Sequence, residues 1–170
     1  MRRFPVWLLF AGLILTGCQQ QDTAIPPPLE VSDAASGHYC GMPLAEHPGP
    51  KGQIFLRSAP GKPIWFTSVR DAIAFTFLPE EPKDVIALYV NDMGRAKNWE
   101  QPEPGTWVEA RQAWFVIDSS RKGGMGAPEA IPFGEQAAAT AFREANGGRV
   151  VRFADIPAAY VLGDGKGQVP

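Results

Sequence analysis

The stretch Gln53–Val90, QIFLRSAPGKPIWFTSVRDAIAFTFLPEEPKDVIALYV, decides the fold. Gln53-Ile54-Phe55-Leu56-Arg57 reads as a strand, and the turn residues Ser58-Ala59-Pro60-Gly61-Lys62 close it. Pro63-Ile64-Trp65-Phe66-Thr67 then resumes the apolar run, which predicts a hairpin. Ser68 stands where a helix N-cap is needed, with Asp71 as the acidic half of a capping box. Val69, Ala72, Ile73 and Phe75 keep helical spacing to about Leu78, and Pro79 ends the helix. Asp84–Val90 is a third strand, so the order is ββαβ.

Working toward the C-terminus, the order returns. Ala113–Asp118 is a strand, Lys122-Gly123-Gly124-Met125-Gly126 a glycine-rich loop, and Ala130–Phe133 a short strand. Gly134–Glu144 is a helix stopped by Asn146-Gly147-Gly148, and Arg149–Phe153 closes the unit. Ile64 and Ile131, Phe66 and Phe133, Ala72 and Ala139, Ala74 and Ala141, and Phe75 and Phe142 share one offset of 67. Matches at one offset predict a duplicated ββαβ unit, and chance matching of alanine-rich helices is the alternative. Hairpin, helix and strand together make an α+β fold of two similar lobes. The expected layout is a first lobe over 38–92, a linker over 93–108 holding Met93 and Trp99, and a second lobe with its C-terminal tail over 109–170. Trp65, Phe66, Phe75, Trp114, Phe115, Phe133 and Phe142 are the expected aromatic core.

Upstream of the hairpin lies His38-Tyr39-Cys40-Gly41-Met42-Pro43, then His47 and a proline-rich run. A thiol, a thioether and imidazoles so close together are the donors that soft and borderline metals prefer. If His38 to Met42 run extended, His38, Cys40 and Met42 project on one face. Pro43, Pro48 and Pro50 stiffen the chain beyond Met42, which predicts an exposed loading loop. Upstream again, Met1-Arg2-Arg3, an apolar run from Val6 to Leu15 and Leu15-Thr16-Gly17-Cys18 form a signal peptide over 1–17. Leu-Thr-Gly-Cys resembles a bacterial lipobox, which puts a lipid on the Cys18 sulfur and anchors the protein to a membrane. Gln19 after the cysteine favours the outer membrane, by resemblance to bacterial lipoproteins. Residues 18–37, with three glutamines and Pro26-Pro27-Pro28, read as the anchor and a semi-rigid tether.

The cysteine count then becomes informative. The chain has two cysteines and the lipid takes one, so Cys40 stays unpaired in an oxidising compartment. It is either a functional thiol or a buried inert one, and neighbours Gly41, Met42 and Pro43 argue for the first. A net charge of -2 gives no basis for a nucleic-acid partner. Two histidines and no acidic cluster exclude a calcium-type site.

His-Tyr-Cys-Gly-Met-Pro-Leu, then Glu-His-Pro-Gly-Pro-Lys-Gly-Gln, resembles the signature of the NosL family of periplasmic lipoproteins. Gly-Gly-Met-Gly with Ala-Ile-Pro-Phe behind it fits the family's second block, although Gly-Pro-Met is the expected form of that loop. The resemblance spans essentially the whole mature domain. It implies two ββαβ lobes related in fold to a small domain of organomercurial lyase. It also implies a protein that binds Cu(I) and delivers it to nitrous oxide reductase or its maturation machinery, with no catalysis of its own.

On this reading Cys40 is the leading copper ligand, because a cation deprotonates a coordinating thiol and Cu(I) prefers sulfur. Met42 and Met125 are candidate thioether ligands. His38 and His47 are candidate imidazole ligands that surface histidines would equally explain. Two other classes stay open: a thiol enzyme with Cys40 as nucleophile and His38 or His47 as base, and a docking lipoprotein that binds no metal.

Overall fold

The structure is a computed structural model that describes residues 24–163. The signal peptide, Cys18 and the last residues of the tail lie outside the described residues. The elements are β1 (Gly52–Leu56), β2 (Ile64–Phe66), α1 (Val69–Phe77), β3 (Val85–Asn91), β4 (Trp107–Glu109), β5 (Trp114–Ile117), β6 (Ile131–Phe133), α2 (Gln136–Asn146), β7 (Arg149–Arg152) and α3 (Ala158–Leu162). They form an α+β fold with two antiparallel sheets, in the orders β2-β1-β3-β4 and β6-β5-β7.

The expected hairpin forms, with Gln53 opposite Trp65 and Ile54 opposite Ile64. The Ser68 side chain accepts from Asp71 N at 3.0 Å, which satisfies one of the orphan donors at the start of α1. Ile54 and Leu56 of β1 meet Val69, Ala72 and Ile73 of α1 in a buried cluster. The α1 side of the sheet carries these residues because strand side chains alternate between faces.

The other face of the first sheet carries Gln53, Phe55, Tyr89 and Trp107, and here the tether reading needs correction. Residues 26–30 lie along this face as a strap. The Tyr89 hydroxyl donates to Pro26 O at 2.7 Å. The Gln53 amide, fully buried, accepts from Leu29 N and donates to Leu29 O, both at 2.9 Å. Glu30 accepts from Gly105 N and from the Trp107 indole. Ala35 is buried as well. A buried glutamine needs partners for both ends of its amide, and the strap's backbone supplies them. Composition showed the lack of an apolar period in this stretch, but not the polar groups awaiting it.

The stretch 93–108, expected as a linker, is a packed connection that ends in β4. Asn91 pairs with Trp107 and Tyr89 with Glu109, so the first sheet gains a fourth strand. Met93 N donates to Pro132 O, and Met93 and Trp99 pack on the second core cluster. The prolines and glycine of this stretch masked the three-residue strand.

The two ββαβ units share the strand order but not an independent core. Phe115 and Ile117 of β5, Ala130, Ile156 and Val161 join Ile54, Val69, Ile73 and Leu88 in one cluster. Val116 points the other way, to Ile131, Phe133 and Ala139. The offset of 67 holds at the starts of β2 and β6 and of α1 and α2, whereas β5 and β7 begin earlier than it would place them. Of the expected aromatic core, Phe66, Phe75, Phe115 and Phe133 are buried, while Trp65, Trp114 and Phe142 are half-buried. Helix α3, which no motif in the sequence marked, packs beside α1, where Val161 O accepts from Arg70 Nε.

Candidate metal centre

The Cys-Gly-Met segment is a turn, not the extended strand that would align His38, Cys40 and Met42. Gly37 N donates to Met42 O at 2.9 Å, Gly41 N to Gly37 O at 2.8 Å, and Ser36 bridges to Pro43. Gly41 makes this possible with φ +68, a conformation that L side chains resist. His38 N donates to Trp65 O at 2.7 Å and so ties the turn to β2. The backbone of the turn is therefore fixed by the first sheet before any ligand arrives.

Cys40 is half-buried, its Sγ 3.6 Å from the Thr67 hydroxyl. Gly37 gives it room: a Cβ there would stand 2.7 Å from Sγ and 2.9 Å from Thr67 Cγ2. Thr67 precedes the N-cap of α1, so the thiol sits beside the start of that helix. Met42 is half-buried two residues on.

His38 shares the turn, but its ring is packed edge-on against Phe66 and Phe75, with centroids at 5.7 and 5.6 Å. Its Nε2 lies 3.4 Å from Glu81 Oε1, the same oxygen that accepts from the Tyr39 hydroxyl at 2.9 Å. Burial, reinforced by the Glu81 carboxylate, raises the Tyr39 phenol above its ordinary range. His38 thus spends one nitrogen on Glu81. The thiol's own hydrogen-bond neighbour is a threonine rather than an imidazole, which is poor geometry for a nucleophile that needs a base.

His47 lies beyond the short 3-10 turn Leu44–Glu46. It lines a separate cavity of about 200 Å³ with Glu30, Lys51, Asn91 and Trp107, and its Nε2 is buried without a hydrogen-bond partner. The proline-rich run after it is not an exposed loop: Gly49, Pro50 and Lys51 are buried. Lys51 Nζ donates to His47 O at 2.6 Å and Gly49 O at 2.5 Å, and burial lowers its pKa to about 8.

That lysine-held segment is where the second unit arrives. A Cβ on Gly124 would stand 2.5 Å from Pro48 O, so the loop before β6 rests directly on Pro48. The loop closes on itself through Gly123 N to Ala127 O and Gly126 N to Gly123 O. Met125 sits at its tip and is 55% exposed. At the base of the loop, the fully buried Glu129 carboxylate accepts from Arg70 N at 2.8 Å and Ala130 N at 2.9 Å. The second unit therefore caps the helix of the first. Burial pushes the Glu129 pKa up to about 7.

The structure brings His38, Cys40 and Met42 into one turn, sets Met125 on the neighbouring unit's loop, and puts His47 on a different cavity. Among the described residues, no three His, Cys, Asp or Glu side chains gather in a way that could hold a metal ion. A closed zinc-type set of such ligands is therefore absent among the described residues. Sequence reasoning missed Thr67, Glu81, Lys51 and Glu129. Only Thr67 left a signal, as the residue before the N-cap.

The family model described as NosL matches residues 28–161. The copper-binding lipoprotein NosL of Achromobacter cycloclastes is 47% identical over 150 residues, covering 88% of this chain and 77% of that protein. Its namesake in Stutzerimonas stutzeri is 37% identical over 166 residues, covering 95% and 85%. The crystal structure of the copper chaperone NosL from Shewanella denitrificans superposes with a TM-score of 0.73 at 36% identity, covering 79% of this chain and 99% of that one. The solution structure of the apo-NosL protein from Achromobacter cycloclastes gives a TM-score of 0.50 at 49% identity, covering 65% and 87%. The chain belongs to the NosL family.

Proposed function

We propose that this protein is a copper chaperone: a lipoprotein, anchored to a membrane through Cys18, that carries Cu(I) and passes it on for maturation of the copper centre of nitrous oxide reductase. The observation that carries the reading is the Cys40–Met42 turn. Its backbone is pre-set by hydrogen bonds to β2 and within itself, while its half-buried thiol has only a threonine hydroxyl beside it. The names of the relatives, copper-binding lipoprotein and copper chaperone, support the cargo and the anchor.

Cu(I) is the favoured oxidation state because a thiolate with thioethers suits a soft monovalent ion. Cys40 supplies the thiolate and loses its proton as the metal enters. Met42 supplies a thioether from the same turn, and Met125 offers another from the second unit. His38 is the next candidate, since it is Nε2 that meets Glu81, while His47 ranks behind it because it lines another cavity. A site of two or three sulfurs with an open edge suits transfer, since an acceptor's ligand can enter before a donor's leaves. The periplasmic face of the outer membrane is the favoured location, on the strength of Gln19 after the lipobox cysteine. Among the described residues, no helix is long and apolar enough to cross a membrane.

The test is an anaerobic titration of the reduced domain with Cu(I) against a competing chelator. Tight binding that collapses in Cys40→Ser supports the reading. Binding unchanged in that variant, or zinc recovered as the main metal from native protein, refutes it.

A further inference from the structure

The strap over the first sheet has an outer face that the copper site does not use. Seven large apolar side chains stand exposed among the described residues, and three of them are Ile25 (66%), Leu29 (42%) and Val31 (40%). Glu30 turns its carboxylate inward to Gly105 N and the Trp107 indole. Its neighbours Leu29 and Val31 are exposed, Val31 at the rim of the cavity that Glu30 also lines. The strap cannot bury them by rolling over, because Leu29 N and O are both held by the Gln53 amide.

We propose that this outer face, Ile25, Leu29 and Val31, lies on the lipid surface to which the chain is anchored. This contact depends on the lipid anchor at Cys18 and on the reach of the tether. With the strap pinned from Pro26 onward, at most residues 18–25 separate the lipid-bearing cysteine from it, not 18–37. Fully extended, that length spans only about 25 Å. The membrane is therefore always close to the strap, at an effective concentration on the order of millimolar. Three small apolar contacts would not hold a free protein to a bilayer, yet they are enough once a lipid has made the encounter intramolecular. Residues 19–50 contain no Lys or Arg. The contact is therefore apolar and gains nothing from anionic lipid, unlike a polybasic membrane patch. The copper-binding turn begins at Ser36, shortly after the strap, so a seated strap carries the cargo at a set height above the bilayer.

The test uses the full lipidated chain in phosphatidylcholine vesicles, in a Cys40→Ser background so that only introduced thiols react. A nitroxide is placed at Ser32→Cys beside the strap or at Ala141→Cys on the exposed face of α2. The readout is collision with a water-soluble nickel chelate, compared with the unlipidated Cys18→Ser chain in solution. The expected result is a several-fold fall in accessibility at Ser32 on vesicles and no change at Ala141. The combined Ile25→Ser, Leu29→Ser and Val31→Ser variant should stay in the vesicle pellet yet regain full accessibility at Ser32. A Ser32 label as accessible on vesicles as in solution overturns the proposal even when the protein pellets. Protection that survives in the triple variant overturns it too. A lipid-processed chain that fails to pellet would instead refute the anchor itself.

Discussion

The two ββαβ units have the same strand order and treat their loops in opposite ways. In the first unit the loop is stitched to the sheet: His38 N bonds Trp65 O, and Gly37 and Met42 close the turn. In the second the loop bonds mainly to itself, rests on Pro48 through Gly124, and leaves Met125 at an exposed tip. The helices differ in parallel. Five residues of α1 are buried, between its own sheet and the second unit, whereas α2 buries only Ala139. Equal topology has been put to unequal use. The first unit fixes the turn that carries Cys40 and Met42, and the second braces the first while presenting Met125 at an exposed tip.

The bluntest way to break the comparison is to remove the shared core. Phe75 is fully buried in the cluster that joins both units. Phe75→Ala should cost about 3–5 kcal/mol in denaturant unfolding. The matching truncation Phe142→Ala, at a half-buried position on the outer side of the second unit, should cost clearly less. Equal losses would mean that the units are equivalent lobes after all.

Cys40→Ser should lower Cu(I) affinity by on the order of a hundredfold or more, the share of one strong ligand in a small site. Chelator competition measures it. Because the turn's backbone bonds do not involve the thiol, the unfolding midpoint of the apo protein should barely move.

The brace itself titrates. Burial raises Glu129 from 4.5 to about 7, so its contribution to stability is full below about pH 4.5 and is lost as pH rises through 7. Burial lowers Lys51 from 10.5 to about 8, so its contribution is full above about 10.5 and is lost as pH falls through 8. Together they predict a stability minimum between about pH 7 and 8, with flanks of about 3 kcal/mol each. Denaturant midpoints across pH check this against Glu129→Gln, which should flatten the acid flank alone. An acid flank of the same height in that variant would exclude Glu129 as its source.

The gentlest probe concerns Met125, the exposed thioether proposed as a ligand. Met125→Ala should weaken Cu(I) binding by about tenfold and lower the sulfur count around copper seen by X-ray absorption. Gly124→Ala should reproduce most of that loss, because its Cβ would meet Pro48 O at 2.5 Å and the loop must shift. In a Met125→Ala background it should add nothing. A full additive loss would show that Gly124 acts on something other than Met125.

What the sequence alone determined is what neighbours in the chain decide. The β1–β2 hairpin follows from Ser58–Lys62, the start of α1 from Ser68 and the end of α2 from Asn146-Gly147-Gly148, while the soft donors proposed for copper, Cys40 and Met42, stand two residues apart. Each is a local matter of turn conformers, capping or donor chemistry, and each leaves its mark within a few residues. What only the tertiary structure decided depends on partners far away. Glu129 caps α1 from 59 residues off, counted to Arg70, and Gln53 satisfies its amide on Leu29. β4 exists because Asn91 offers an edge to Trp107, and His47 is drawn to a cavity away from the thiol to which sequence proximity would assign it. A buried polar group must find a partner wherever the fold supplies one, and that requirement has no period for a sequence to display. For the same reason the tether read as free chain: nothing in Pro26-Pro27-Pro28-Leu29-Glu30 announces a glutamine and a tryptophan waiting on the far side of the sheet.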